Sequence, residues 1–313
     1  MLLTFPQPGT ARRLPEVAPE TSFTKLRDRG RQATESGQLE LALELFDQAL
    51  EVARRRKDED LVDLATANRA AVLINLGQQR EVIGDLRSIL TQDRNAENCF
   101  FAAYNLSRAY YRSKEAKKGL FYARIARDRA AALENRDWLA AGHNQVGSGL
   151  FLESYFEEAE AEYRNALDLG VAEGSVEHSM LLANLGYCLM TLEKAREGIA
   201  LTLASLRQVR RRGAHLYEAW PELFLAYGYL EAGRIRQARR HGRRALEIAE
   251  NTGDAELTKN ALFMLGEIEK EAGCQASAHD HFSTLQRRYY PSSPEVVSLM
   301  VSVDMRKIVN LRA

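Results

Sequence analysis

Residues 23–56 read FTKLRDRGRQATESGQLELALELFDQALEVARRR. The stretch predicts two helices, 23–36 and 39–56, broken at Gly37-Gln38, because glycine takes the left-handed conformation that ends a helix at little cost. In the second helix Leu41, Ala42, Leu45, Phe46, Ala49 and Leu50 recur at helical spacing. Three small residues, Gly30, Ala42 and Ala49, punctuate the pair at intervals of 12 and 7. The first of these recurs as Ala70, Ser107, Gly147, Gly186, Ala226 and Gly266, at gaps of 37 to 40 residues. The second recurs as Val82, Gly119, Ala159, Gly198, Ala238 and Ala278, and the third as Ile89, Ala126, Ala166, Ser205, Ala245 and Leu285. A period near 40 held over most of the chain implies a solenoid of repeated helix pairs.

The small positions have a packing cause. Where two antiparallel helices cross, the side chain at closest approach must be small, and bulkier neighbours fill the rest of the contact. Phe46, Tyr163 and Phe282 supply one such filler, and Leu106, Val146, Leu185, Leu225 and Leu265 another. The mid-helix glycines Gly147, Gly186 and Gly266 cost roughly 1 kcal/mol each in helix propensity, so packing retains them. The break between the two helices falls on Gly37, Gly77, Gly233 and Gly273, but on Lys114, Ser154 and Glu193 in three units. Those three turns are expected to be less sharply specified.

The pattern resembles the tetratricopeptide (TPR) family. The best match is 23–50, where Leu26, Gly30, Gly37, Ala42, Phe46, Ala49 and Leu50 fall at the family's signature positions. Tyr229, Gly233, Ala238 and Ala245 repeat part of it, as do Gly186, Gly266, Ala278 and Phe282. The likeness covers 23–291. Its units exceed the basic length of 34, as in the roughly 40-residue repeats of kinesin light chains, Rap-type peptide receptors and MalT-type regulators. It departs from the pattern at Gly119 and Ala123, and at Gly198, Thr202 and Ser205, so those two units are expected to pack less regularly. The fold implied is an all-α, right-handed TPR-like superhelical solenoid of about seven helix pairs plus a C-terminal capping helix.

Residues 1–20, with Pro6, Pro8, Pro15 and Pro19, read as a disordered Pro-rich lead-in. The array spans 21–291. Over 292–313, Ser293-Pro294-Glu295 reads as an N-cap, a first-turn proline and an acidic first turn. A terminal helix is expected from there to about Leu311, with Val297, Met300, Val301, Met305, Ile308 and Val309 covering the end of the solenoid. A docking or dimerisation helix is the alternative.

If the units stack as the resemblance implies, first helices line the concave face. Residues two before each anchor then point into the groove: Asp28, Asn68, Asn105, Gln145, Asn184, Phe224 and Met264. Four successive carboxamides, each both donor and acceptor, would pair with the backbone of an extended peptide. Rap-type receptors and kinesin light chains are similar in using such an asparagine ladder. The competing assignment has these amides bonding neighbouring helix backbones or facing solvent. Arg31, Arg108 and Arg112, with Arg27, would favour an acidic ligand. Tyr104, Tyr111, Asn144, Tyr187 and Trp220 are of types common at binding hot spots.

Lys+Arg and Asp+Glu both number 43, so net charge steers nothing. The charge is nonetheless segregated: net −8 over 134–177, +8 over 194–244 and −6 over 245–284. The arginines of the middle block, from Arg207 to Arg244, could bind nucleic acid. Acidic flanks and the lack of interleaved aromatics argue against that, and for pairing between blocks or subunits. Cys99, Cys188 and Cys274 form no CxxC motif and read as reduced core thiols of a cytosolic protein. No run of 18 apolar residues exists, so no membrane partner and a cytoplasmic location are expected. Arginine-rich, lysine-poor usage points to a bacterial source. The six histidines are scattered, and no HExxH, GxSxG or P-loop occurs. No enzyme, metal or cofactor is expected. The function expected is a protein-interaction module holding a peptide or unstructured segment of a protein partner in the concave groove. The alternatives are a ligand-sensing regulatory subunit acting on a separate effector or transcription factor, and a self-assembling scaffold, a homo-oligomer built through the charge blocks or the C-terminal helix.

Overall fold

The computed structural model describes residues 22–303. The lead-in over 1–20 lies outside them, as do Met305, Ile308 and Val309. Seven helix pairs follow one another: α1 (Phe23–Glu35) with α2 (Leu39–Arg56), α3 (Glu59–Asn75) with α4 (Gln79–Gln92), α5 (Ala96–Arg112) with α6 (Ala116–Ala132), and α7 (Arg136–Leu152) with α8 (Phe156–Asp168). Then come α9 (Val176–Thr191) with α10 (Ala195–Arg212), α11 (Ala219–Glu231) with α12 (Ile235–Thr252), and α13 (Ala255–Glu271) with α14 (Gln275–Tyr289). A short α15 (Glu295–Ser302) ends the described chain.

The two helices of each pair begin in different ways. Six of the seven first helices open on a side-chain cap: Ser22, Asp58, Asn95, Asn135, Ser175 and Asp254 each accept from a backbone N–H in the first turn. No second helix has a side-chain cap. Each is entered through a single left-handed residue, at φ between 62° and 81°. Lys114, Ser154 and Glu193 take this conformation as Gly37 and Gly273 do. The same hydrogen bond closes each turn, for example Glu115 N–H to the Tyr110 carbonyl and Gln38 N–H to the Ala33 carbonyl. The three turns without glycine are therefore as sharply formed as the others. Packing of the pair imposes the geometry, and the residue bears the strain.

The small positions are buried throughout. A Cβ on Gly30 would lie 2.8 Å from the Phe46 ring, and one on Gly147 the same distance from Tyr163. On Gly266 it would collide with Phe282. The two units expected to pack less regularly are also closely packed. Tyr111 closes over Gly119, and a Cβ on Gly198 would collide with the Gly186 carbonyl, so a side chain fills the space in one pair and the backbones meet in the other.

First helices pack on first helices of the next unit: α1 on α3, α3 on α5, and so on to α11 on α13. Second helices pack on the first helices to either side, with no comparable packing on one another among the described residues. The first helices therefore follow the shorter, inner arc, which makes them the concave wall. The winding is tight enough to bring distant units together. Arg112 Nη2 meets Asp254 Oδ2 at 3.1 Å and Lys114 Nζ meets Glu256 Oε1 at 2.8 Å, each across 142 residues. Arg212 Nε lies 3.5 Å from Glu35 Oε2. These pairs form a seam around a lumen.

At the end of the array α15 packs on α14, with Met300 buried and Val296, Val297 and Val301 against the core. Lys270 Nζ donates to the Met300 and Val303 carbonyls at 2.8 Å, closing the end of the helix where its carbonyls lack partners. The helix is described to Ser302, with Val303 extended; the rest of the expected terminal helix lies outside the described residues. Cys99 and Cys188 are buried, and burial pushes the Cys99 thiol up to about 11. Cys274 is exposed at the start of α14 rather than in the core.

Candidate functional site

The lumen is best read outward from α5, which contributes two rows. In one, Asn98 Nδ2, Asn105 Nδ2 and Arg112 Nη1 donate to the carbonyls of Asp60, Ala67 and Ile74, at 2.8, 2.9 and 3.4 Å. Every one of these bonds reaches back 38 residues, so a seven-residue spacing on α5 meets a seven-residue spacing on α3. A carbonyl inside a helix keeps a second lone pair for this. The other row, Tyr104 and Arg108, stands one helical turn apart and stays partly accessible.

Among the sequence-predicted residues, Asn105 thus spends its amide on the neighbouring helix. Its Oδ1 also accepts from Arg108 Nη1 at 3.2 Å, while Arg108 Nη2 donates to Asn75 Oδ1 at 2.7 Å. Gln145 is buried and accepts from Ser107 Oγ at 3.4 Å. Asn144 is buried and accepts from Asn184 Nδ2 at 2.8 Å. Tyr187 is buried too, its ring stacked on Phe224 at 4.4 Å. Phe224 and Met264, at the corresponding register, are core residues, and Asp28 is exposed. This register faces a neighbouring first helix more than the lumen. Arg27, Arg31, Asn68, Tyr104, Arg108, Tyr111, Arg112, Asn184 and Trp220 stay at least partly accessible. Asn68 Nδ2 is buried with no hydrogen-bond partner among the described residues.

A segment not singled out in the sequence joins distant units. Between α10 and α11 the chain makes a 3₁₀ turn, His215–Tyr217, which packs against α1, five units away. Glu218 fixes the turn from behind, accepting from Arg210 Nε at 3.2 Å and meeting His215 Nδ1 at 2.7 Å. Glu222, nearly fully buried, holds Arg210 Nη2 and His241 Nδ1, both at 2.5 Å. Tyr217 packs on the cluster of Val176, Val209 and Ala214 beside Met180. Its phenol has Arg108, Tyr104, Glu177 and Glu35 within electrostatic reach, and burial pushes it up to about 12. The signal in the sequence is the link itself. Within the array, 213–218 and 169–175 are the two long links where the other helices are joined by two or three residues, and α11 alone among the seven first helices lacks a capping side chain.

Neighbouring charge blocks meet along the array: Glu160 with Lys194, Arg164 with Glu197, and Arg239 with Glu269 through two bonds of 2.6 and 2.7 Å. Among the described residues no group of three His, Cys, Asp or Glu side chains is placed to hold a metal ion, and no helix is long and apolar enough to cross a membrane.

No protein-family model matches the sequence. No curated protein matches it significantly. Solved structures do share its architecture. A Rap protein complexed with competence and sporulation factor aligns over 88% of this chain and 76% of its own, at 14% identity and a TM-score of 0.66. The Rap conjugation gene regulator of plasmid pLS20, in complex with the Phr* peptide, aligns over 86% and 75%, at 12% identity and a TM-score of 0.65. A tetratricopeptide repeat protein from Parabacteroides merdae aligns over 92% and 99%, at 15% identity and a TM-score of 0.50. By fold, the chain is a tetratricopeptide-type helical-repeat solenoid.

Proposed function

We propose that this protein is an interaction module that holds a peptide or unstructured segment of a partner protein in its lumen. The observation that carries the reading is the partly accessible polar row on the inner wall: Tyr104 and Arg108 on α5, Asn68 on α3, and Asn184 on α9. Arg31 and Arg112 extend the row. Aromatic and guanidinium groups on a preformed concave wall are the kind that anchor a bound chain, and arginine favours a carboxylate on it. One protein of the same fold is solved with the Phr* peptide and another with competence and sporulation factor, which supports the same use here. Asn105, Gln145 and Asn144 stitch the wall and act by holding its shape.

The test is selection of random dodecapeptides displayed on phage. We expect the native protein to enrich peptides that a folded Asn68→Ala/Arg108→Ala variant binds about tenfold or more less tightly. Enriched peptides that bind both proteins equally would remove the lumen from the account.

A further inference from the structure

The contacts of α5 settle which of its faces looks into the lumen. Asn98, Asn105 and Arg112 reach α3. The Phe100 ring stacks on Trp138 of α7 at 5.0 Å, and the Tyr111 hydroxyl donates to the Gln145 carbonyl of α7 at 2.9 Å. Cys99 Sγ lies 3.7 Å from the Ile89 carbonyl of α4, and Tyr110 stacks on Tyr122 of α6 at 5.4 Å. The face left over carries Phe101 and Arg108, both partly accessible. Phe101 stands six residues before the small anchor Ser107. Six before the anchors of the second, fourth, fifth and sixth units stand Leu64, Ala141, Met180 and Trp220. All five are apolar, and each rests on a buried cluster with part of its surface open. Five successive first helices thus present an apolar stripe, one residue per unit, beside the polar row.

Packed helices lie roughly 8–10 Å apart, so the stripe repeats at about that interval. A polyproline II chain has three residues per turn and rises about 3.1 Å per residue, so one of its faces repeats at about 9 Å. The two periods match, and the sequence before α1 carries such a face. Leu2, Phe5, Pro8, Ala11, Leu14 and Val17 recur at every third residue and are all apolar. Thr4, Gln7, Thr10, Arg13 and Glu16 fall on a second face and are all polar. Pro6, Pro8, Pro15 and Pro19 favour that backbone. Ser22 caps α1, the first helix of the inner wall, so 1–21 enters the array at the rim from which every first helix starts. In this conformation 21 residues reach roughly 65 Å, against roughly 40 Å for the four helix spacings of the stripe.

Resting on the lumenal reading above, we propose that residues 1–21 dock in cis on this stripe as a polyproline II strand, with the apolar face set against Leu64, Phe101, Ala141, Met180 and Trp220. The segment is then an intrinsic competitor for the lumen. A partner segment gains access only in the fraction of molecules that has released it, and its apparent affinity falls by that fraction.

The experiment places benzoylphenylalanine at position 5 of the whole chain, in place of Phe5, which leaves the array itself unaltered. Irradiation and peptide mapping should give adducts within one chain, at residues within a helical turn of the stripe, in a yield that dilution does not change. Adding Leu2→Asp and Leu14→Asp should abolish these adducts, whereas Gln7→Asp with Thr10→Asp, on the other face, should leave them. Affinity is the second readout. Leu2→Asp/Phe5→Asp should bind the phage-selected peptides about tenfold more tightly than the native chain. Adducts formed only between two chains, or none near the stripe, would overturn docking in cis. Equal affinity of the native chain and Leu2→Asp/Phe5→Asp would overturn the competition. Either result leaves the lumenal peptide site standing wherever the selected peptides still lose affinity in Asn68→Ala/Arg108→Ala. Absence of stripe adducts, together with failure of both the native chain and Leu2→Asp/Phe5→Asp to enrich any peptide, would overturn both readings.

Discussion

Asp254 caps α13 with one carboxylate oxygen and binds Arg112 of α5 with the other: Oδ1 accepts from the Leu257 N–H at 3.0 Å and Oδ2 lies 3.1 Å from Arg112 Nη2. One side chain thus fixes the start of the seventh unit and ties it to the third. The two duties can be separated. Asparagine caps as well as aspartate, so Asp254→Asn should lose only the seam, a few tenths of a kcal/mol for so accessible a pair. Asp254→Ala should lose about 1 kcal/mol more with the cap. Urea unfolding of the two variants measures the difference, and equal losses would mean that the oxygen facing Leu257 does no capping.

The seam should weaken in acid. Burial works to raise the Glu256 carboxyl, but Lys114 and Lys259 more than offset it and hold the carboxyl below its ordinary value of 4.5. A carboxylate with a depressed value in the folded state stabilises that state above its unfolded value and loses the contribution as pH falls. The 114–256 contact should therefore be intact above pH 4.5 and weaken below it. Small-angle scattering should show the solenoid expanding over that range. Glu256→Gln should remove part of the expansion, and an unchanged profile in that variant would exclude this pair as a cause.

Two glycines should respond to alanine in opposite directions. A Cβ on Gly266 meets the Phe282 ring, whereas one on Gly84, in α4, meets nothing within 4 Å. Overpacking should make Gly266→Ala cost about 1–3 kcal/mol. Gly84→Ala should gain up to about 1 kcal/mol from helix propensity. Thermal melts of the two variants, moving in opposite directions, check the pairing.

The turns at Ser154 and Glu193 store strain, since both residues sit at positive φ, 64° and 62°. Left-handed backbone costs a residue with a side chain about 1–2 kcal/mol, and the freedom glycine gains in the unfolded chain returns part of that. Ser154→Gly and Glu193→Gly should each raise stability by up to about 1 kcal/mol, read as a shifted urea midpoint.

The repeat was legible because its cause is local. Gly30 and Phe46, or Gly147 and Tyr163, are paired by sequence spacing alone, and helix starts at Asp58, Asn95 and Asn135 announce themselves by residue type. The lumen was only partly legible. Tyr104 and Arg108 stay partly accessible, but Asn105 and Gln145, in the register assigned to the groove, meet the preceding unit instead. The small rotation about the helix axis that decides this lies below what a periodicity resolves. The seam and Tyr217 depend on superhelical pitch, a sum of small angles between units that no single residue encodes. That is why nothing in the sequence announces that Arg112 meets Asp254.

The account stands or falls on where a bound segment lies. Benzoylphenylalanine placed at position 104, in place of the lumenal Tyr104, and separately at 121, in place of Phe121, which is 60% exposed on α6, reports this directly. Irradiated with an enriched peptide, the protein labelled at 104 should form a covalent adduct and the protein labelled at 121 should not. Adducts at 121 with none at 104 would place the partner on the outer helices and contradict a lumenal site.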